Sequence, residues 1–299
     1  MDGAHAWAAL VCHGGWERPV GVRGHARGTS GTSGAEPGRA GDGLQPPLRF
    51  SFQPRLTPSV RLLICAIRKE HIVPQAILFD LDETLTDRTP SIMHYATRFH
   101  GEFADHLAST TVARITDALL TANVRGYHPR EEVVYDFLQR LPWRTAPEVS
   151  RVRKHWQTGF PQSVVARAGL AETLAALQAQ RIRLGVVTNG EVAFQAPKIT
   201  QLAIEQYLST VVISEAIHVQ KPDPRIFAQA LAEVGCLARR TWFVGDDPRN
   251  DILGAASVGL RAIWLTGVQP WPPEHPVPPW QIATLGELVT MAQCANNAT

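Results

Sequence analysis

The run Ala76-Ile77-Leu78-Phe79-Asp80-Leu81-Asp82-Glu83-Thr84-Leu85-Thr86 turns from apolar to acidic at its fifth residue. Four consecutive apolar residues without alternation suit a strand buried on both faces, as strands of a parallel sheet are. The same texture recurs downstream: Leu184 to Val187 before Thr188, Val211 to Ile213 before Ser214, Trp242 to Val244 before Gly245, and Ala262 to Leu265. Between these runs apolar residues fall at helical spacing, as in Leu170, Leu174, Leu177 and Phe227, Leu231, Val234. Alternating strand and helix predicts an α/β fold with an open parallel sheet, right-handed crossovers and helices on both faces.

The interval from about Pro90 to Arg167 breaks that alternation. Ile92, Ala96, Phe99, Phe103 and Leu107 trace one helical stripe, Val112, Ile115 and Leu119 a second, and Val134, Phe137, Leu138 and Leu141 a third. No strand is expected there, and the segment reads as an inserted α-helical cap domain at 90–167, with the α/β core at 71–89 and 168–299. Six prolines between Pro270 and Pro279 mark a rigid loop before a last helix from about Leu285 to Gln293. Residues 1 to 43 hold eleven of the 23 glycines and show no periodicity. Residues 1 to about 70 are therefore expected to form a disordered extension, with translated upstream sequence as one explanation and a functional basic arm as another.

The 299 residues are 44% hydrophobic and 19% charged, an ordinary balance for a globular protein. The formal charge of +2 hides an asymmetry, because residues 1–70 carry nine Lys/Arg and five Asp/Glu while the remaining 20 and 22 lie beyond. The globular part lacks clustered Lys and Arg, so no nucleic-acid partner is expected. Cys12, Cys65, Cys236 and Cys294 form no CxxC pair, which suits reduced thiols in the cytoplasm. No apolar run approaches the roughly 18 residues of a membrane span. No basic region precedes the apolar patch from Trp7 to Val11, so neither membrane association nor a secretory signal is expected. Walker A, GxGxxG and HExxH patterns are absent, which argues against ATP-driven, nicotinamide and zinc chemistry.

In open α/β sheets ligands bind beyond the carboxyl ends of the strands. Four clusters stand there: Asp80-Leu81-Asp82, Thr188-Asn189-Gly190, Lys221-Pro222-Asp223-Pro224, and Gly245-Asp246-Asp247-Pro248-Arg249-Asn250-Asp251. Singly, each reads as a helix cap or turn. Together Asp80, Asp82, Asp246 and Asp251 form an oxygen-only set whose mutual repulsion calls for a hard divalent cation, and magnesium suits it. In order and content the clusters resemble the four motifs of the haloacid dehalogenase-like hydrolases over residues 75 to about 293. The stretches VVTNG (186–190), VQKPDPRIF (219–227) and VGDDPRND (244–251) resemble the branch with a helical cap after the first motif.

That resemblance implies a Rossmann-like sheet and a magnesium-dependent phosphatase acting on a small phosphorylated metabolite. Asp80 would be the nucleophile that forms an aspartyl-phosphate, and Asp82 the acid and base, with its backbone carbonyl on the metal. Thr188, with the amide of Asn189, would hold the phosphoryl oxygens, and Lys221 would fix the nucleophile. Asp246 would bind magnesium, with Asp251 binding it or orienting its waters; Asp247 is the alternative to Asp251, and the GDxxxxD spacing favours Asp251. Asp82 argues against a dehalogenase, which carries an aromatic residue there. A phosphomutase remains an alternative, although Glu83 stands where such enzymes carry glycine. A non-catalytic binding or regulatory member is the other. In the cap, Arg144, Arg151, Arg153, Lys154, His155 and Trp156 are possible substrate contacts, most of them expected on a solvated helix face, and Trp143 and Trp156 equally suit its core. Substrate identity and oligomeric state are not legible.

Overall fold

The computed structural model describes residues 73–122 and 130–297, so the expectation for residues 1–70 lies outside the described residues. Among these residues, no helix is long and apolar enough to cross a membrane. The described residues begin with β1 (Ala76–Phe79) and β2 (Thr86–Asp87), then run through α1 (Arg88–Glu102), α2 (Val112–Ala122), α3 (Arg130–Gln139) and α4 (Val149–Gly159) to β3 (Val165–Ala166). The chain continues as α5 (Leu170–Ala179), β4 (Arg183–Thr188), α6 (Val192–Gln201), β5 (Leu208–Ile213), α7 (Ser214–Ile217) and α8 (Pro224–Val234). Then come β6 (Thr241–Gly245), a π-helical turn at Pro248–Leu253, α9 (Gly254–Ser257), β7 (Arg261–Leu265), β8 (Gln281–Ile282) and α10 (Glu287–Asn297).

Six strands form one parallel sheet in the order β5-β4-β1-β6-β7-β8. Alternate residues of the central strands serve opposite faces. Ile77, Phe79, Trp242 and Val244 pack with Leu174 and Leu177 of α5 and with Leu288 of α10. Ala76, Leu78 and Phe243 pack instead with Ile226, Phe227 and Ala230 of α8. This two-sided burial is why the strands read as continuous apolar runs. Local chemistry sets the helix ends: Asp223 caps α8 by accepting from the Arg225 amide at 2.9 Å, Pro224 follows it, and Gly235 closes the helix at φ 64°.

Helices α1 to α4 build a separate apolar cluster around Tyr95, Phe99, Phe103, Phe137 and Trp156. All three expected stripes are buried in it except Val112, which is partly buried. Two features differ from the sequence reading. The interval 90–167 contains a strand, β3, which pairs antiparallel with β2 (Thr86 with Ala166, Asp87 with Val165) at the root of the helical segment. The proline loop leads into a sixth strand, β8, ahead of α10. Both strands beyond the expected set, and β2, are two residues long, too short to show periodicity.

Candidate active site

Register brings the first components together. Phe79 pairs with Val186 on one side and Val244 on the other, so Asp80, Thr188 and Asp246 emerge at one end of adjacent strands. Asp80, Asp246 and Asp251 each present a carboxylate oxygen, all within 4.8 Å of one another, and all three residues are buried. Asp251 lies directly against Gly245, where a Cβ would overlap its carboxylate. Lys221 Nζ donates to Asp80 Oδ1 at 2.5 Å and to Asp251 Oδ1 at 2.7 Å.

Burial pushes Asp80 up to about 7, with Lys221 opposing and the Asp251 and Asp82 charges adding to the rise. Asp246 is likewise pushed up to about 7, chiefly by burial and then by Asp80. Burial raises Asp251 to about 6 against the pull of Lys221. For Lys221 burial acts downward, yet Asp251 and Asp80 outweigh it and hold the ammonium above its ordinary range. Three buried carboxylates thus face one buried ammonium, an excess of negative charge on hard oxygen donors. That donor set fits a divalent cation such as magnesium.

Two neighbours hold Asp246: Thr84 Oγ1 donates to Oδ1 at 3.1 Å and Gln269 Nε2 to Oδ2 at 3.2 Å. Asp247 does different work, since its Oδ1 caps the following turn by accepting from the Arg249 and Asn250 amides at 2.9 and 3.0 Å. Asp251, not Asp247, joins the buried cluster. The Asn189 side chain clamps the Lys221 backbone in both directions, at 2.8 and 3.0 Å. Thr188 Oγ1 accepts from Gln195 Nε2 at 2.7 Å.

Asp82 turns a carboxylate that is 46% exposed into the same cavity. Lys198 Nζ donates to both of its oxygens at 2.7 Å and Gln195 Nε2 to Oδ2 at 2.9 Å. Burial acts to raise Asp82, but Lys198 and Gln195 outweigh it and hold the acid below its ordinary value. The next residue, Glu83, is left-handed at φ 62°, a conformation that favours glycine. Its amide donates to Thr86 Oγ1 at 3.0 Å, and Arg167 donates to the carbonyls of Glu83 and Thr84.

A cavity of about 660 Å³ opens over these groups. The core lines it with the carboxylates, Lys221, Thr188 and Phe194; the helical segment contributes Val133, Trp156, Phe160 and Val164. Of the six polar or aromatic residues singled out in that segment as possible contacts, only Trp156 lines the cavity. Arg151 bonds Glu102 at 3.2 Å and His155 bonds the Tyr95 hydroxyl at 2.8 Å.

Comparison with known proteins fixes the family. A family model for haloacid dehalogenase-like hydrolases matches residues 77–265. The chain belongs to that family. This haloacid dehalogenase-like hydrolase is 27% identical over 220 residues to the pyrimidine 5'-nucleotidase YjjG of Escherichia coli, covering 71% of this chain and 95% of that protein. It is 30% identical over 199 residues to a phosphoglycolate phosphatase of Yersinia pestis, covering 64% and 81%. It shares its fold with the solved HAD-hydrolase YfnB from Bacillus subtilis, bound to magnesium, at a TM-score of 0.57 and 23% identity over 73% of this chain and 98% of that one.

Sequence reasoning missed four residues that bond the candidate-site carboxylates: Thr84, Gln195, Lys198 and Gln269. Gln195 and Lys198 carried a signal, a polar pair three apart and therefore on one helix face, directly after Thr188-Asn189-Gly190. Pro197 between them argues against a helix, yet α6 runs through it.

Proposed function

We propose that this hydrolase is a cytoplasmic phosphatase that cleaves phosphomonoesters of small metabolites, with magnesium, through an aspartyl-phosphate on Asp80. One observation carries the reading: Asp80, Asp246 and Asp251 meet at one buried point with Lys221 bonded to two of them, beside a separate acid, Asp82, that opens onto the cavity. The names of the Escherichia coli and Yersinia relatives, both for phosphate-ester cleavage, support the ester class.

Lys221 grips Asp80 Oδ1 and so leaves Oδ2 as the atom that attacks phosphorus. Lys198 and Gln195 keep the free Asp82 ionised, so the proton arrives with the phosphate-ester monoanion and passes through Asp82 to the leaving oxygen as its bond to phosphorus breaks; Asp82 then takes a proton from the water that hydrolyses the aspartyl-phosphate. Two of the three Lys221 N–H groups serve Asp80 and Asp251. The third, with the Thr188 hydroxyl and the Asn189 main-chain amide, holds the phosphoryl oxygens. Asp80, Asp246 and Asp251, with the Asp82 carbonyl, would hold magnesium, which supplies positive charge against the phosphoryl oxygens when bound. The helical segment acts as a cap that excludes water and selects the ester through Val133, Trp156 and Phe160.

The test is phosphate release from p-nitrophenyl phosphate and from a panel of phosphorylated metabolites, with and without magnesium. Asp80→Asn is expected to slow release by at least about 10³-fold, the scale on which loss of a covalent nucleophile is felt. Release by Asp80→Asn at the parental rate overturns the mechanism.

A further inference from the structure

Lys198 neither attacks nor moves a proton in the phosphoryl chemistry above, yet it is 2% exposed in the last turn of α6. Burying an ammonium costs its hydration, so what it touches there must hold it strongly. It touches both oxygens of Asp82, each at 2.7 Å. Its ammonium also stands 4.6 Å from the ring centre of Phe194 and 5.8 Å from that of Phe160, a cationic seat on two rings. Those rings stack at 6.0 Å with planes 9° apart, and they come from opposite sides of the cavity: Phe194 from α6, Phe160 from the end of the helical segment.

Gln195, one turn earlier and 1% exposed, completes the arrangement. Its Nε2 reaches Asp82 Oδ2 at 2.9 Å, Thr188 Oγ1 at 2.7 Å and the Asn189 carbonyl at 3.1 Å, so the acid is tied to the residues placed around the phosphoryl group. Gly190, at φ 142°, makes room for it, because a Cβ there would meet Gln195 Cγ at 2.9 Å.

We propose that Lys198 is the positioning residue for Asp82, and that its seat is complete only with Phe160 in place, so that closure of the helical segment and the aim of the acid are one event. Lys198 lies on the cavity wall with its ammonium on Asp82 and against the two rings, so KM is the readout that separates this role from substrate binding. The inference rests on the reading of Asp82 as proton donor to the leaving oxygen.

The experiment compares two esters with magnesium present through kcat/KM, which ends at release of the alcohol and so excludes the hydrolysis of the aspartyl-phosphate that both share, and through KM. p-Nitrophenyl phosphate releases a weakly basic oxygen that needs little protonation, whereas phenyl phosphate releases a more basic one that needs the acid. Asp82→Asn sets the reference and is expected to lower kcat/KM for phenyl phosphate far more than for p-nitrophenyl phosphate. Lys198→Met should reproduce that selectivity, lowering kcat/KM for phenyl phosphate roughly 10- to 100-fold and for p-nitrophenyl phosphate less than about 3-fold, within the range for general acid catalysis. KM should not rise for either. Lys198→Arg should recover most of the loss, and Phe160→Leu should show the same selectivity at smaller size. If Lys198→Met does not fold, Lys198→Gln and Gln195→Met carry the same comparison. Equal slowing of both esters by Asp82→Asn overturns the reading of Asp82, and the inference with it. A selective Asp82→Asn beside an unselective Lys198→Met, or a common rise in KM, overturns the inference alone.

Discussion

The α/β core and the helical segment bury different things. Among the described residues every buried charged side chain, Asp80, Lys198, Lys221, Asp246 and Asp251, belongs to the core. The segment from α1 through the turn at Pro161–Ser163 buries aromatic rings and the residues Ser91, Tyr95, Thr116 and Ser163. Rings stack for packing alone, as Phe99 and Phe103 do at 4.4 Å. Clustered carboxylates lose stability where they lie, and their persistence in one floor marks the chemistry. The contrast agrees with the proposed division, reaction in one region and selection in the other.

The largest effect should follow from disturbing the floor. Gly245→Ala pushes a methyl group into the Asp251 carboxylate and with it displaces a partner of Lys221. Misplacement of about 1 Å costs roughly 10²-fold in turnover, to be read as kcat on p-nitrophenyl phosphate. A parental kcat would show that Asp251 does not position the reacting groups.

A second measurement tests the buried charge through pH. Asp80, Asp246 and Asp251 sit at about 7, 7 and 6 in the folded protein against an ordinary 3.8. A raised group contributes stability that is fully present below the unfolded value and is lost as pH rises through the folded one. The metal-free protein should therefore melt at lower temperature as pH climbs from about 4 to about 7. Magnesium competes with those protons, so its stabilisation should be small near pH 5.5 and reach about 2–3 kcal/mol near pH 8 at a hundredfold excess over its dissociation constant. A thermal shift independent of pH would remove the carboxylates from the metal site.

The smallest effect belongs to the helical segment. Trp156→Phe keeps a ring against Phe160, which Trp156 stacks on at 4.5 Å, but reshapes the cavity wall. It should change KM for the metabolite found in the panel by about 3- to 10-fold, worth roughly 1 kcal/mol, and leave kcat on p-nitrophenyl phosphate within about 2-fold. A loss of kcat equal to that of Gly245→Ala would erase the division of labour.

Legibility in the sequence followed the same divide. The strands β1, β4, β5, β6 and β7 announced themselves because two-sided burial leaves a continuous apolar run, and polar residues just past such runs marked Asp80, Thr188 and Asp246. The GDxxxxD spacing already favoured Asp251 over Asp247, and the structure supplies the reason: both are acids in one turn, but Asp251 bonds Lys221 while Asp247 caps the turn. Lys198 and Gln195 escaped for a physical reason: a lysine or glutamine on a helix is ordinarily a solvated residue. Only the partner across the cavity, Asp82, shows that these two face inward. Glu83 is the reverse case, since its departure from glycine was visible in the sequence, while the Arg167 and Thr86 contacts at its left-handed turn were not.

The paired strands β2 and β3 carry a consequence for how the segment is attached. Thr86 lies beside Ala166 and Asp87 beside Val165, so the chain leaves the sheet and returns to it through neighbouring positions. Whatever is spliced between them leaves the strand order β5-β4-β1-β6-β7-β8 untouched. The segment is in that sense a cassette: its point of attachment is a single pair of short strands, and its replacement would disturb none of the six strands beneath.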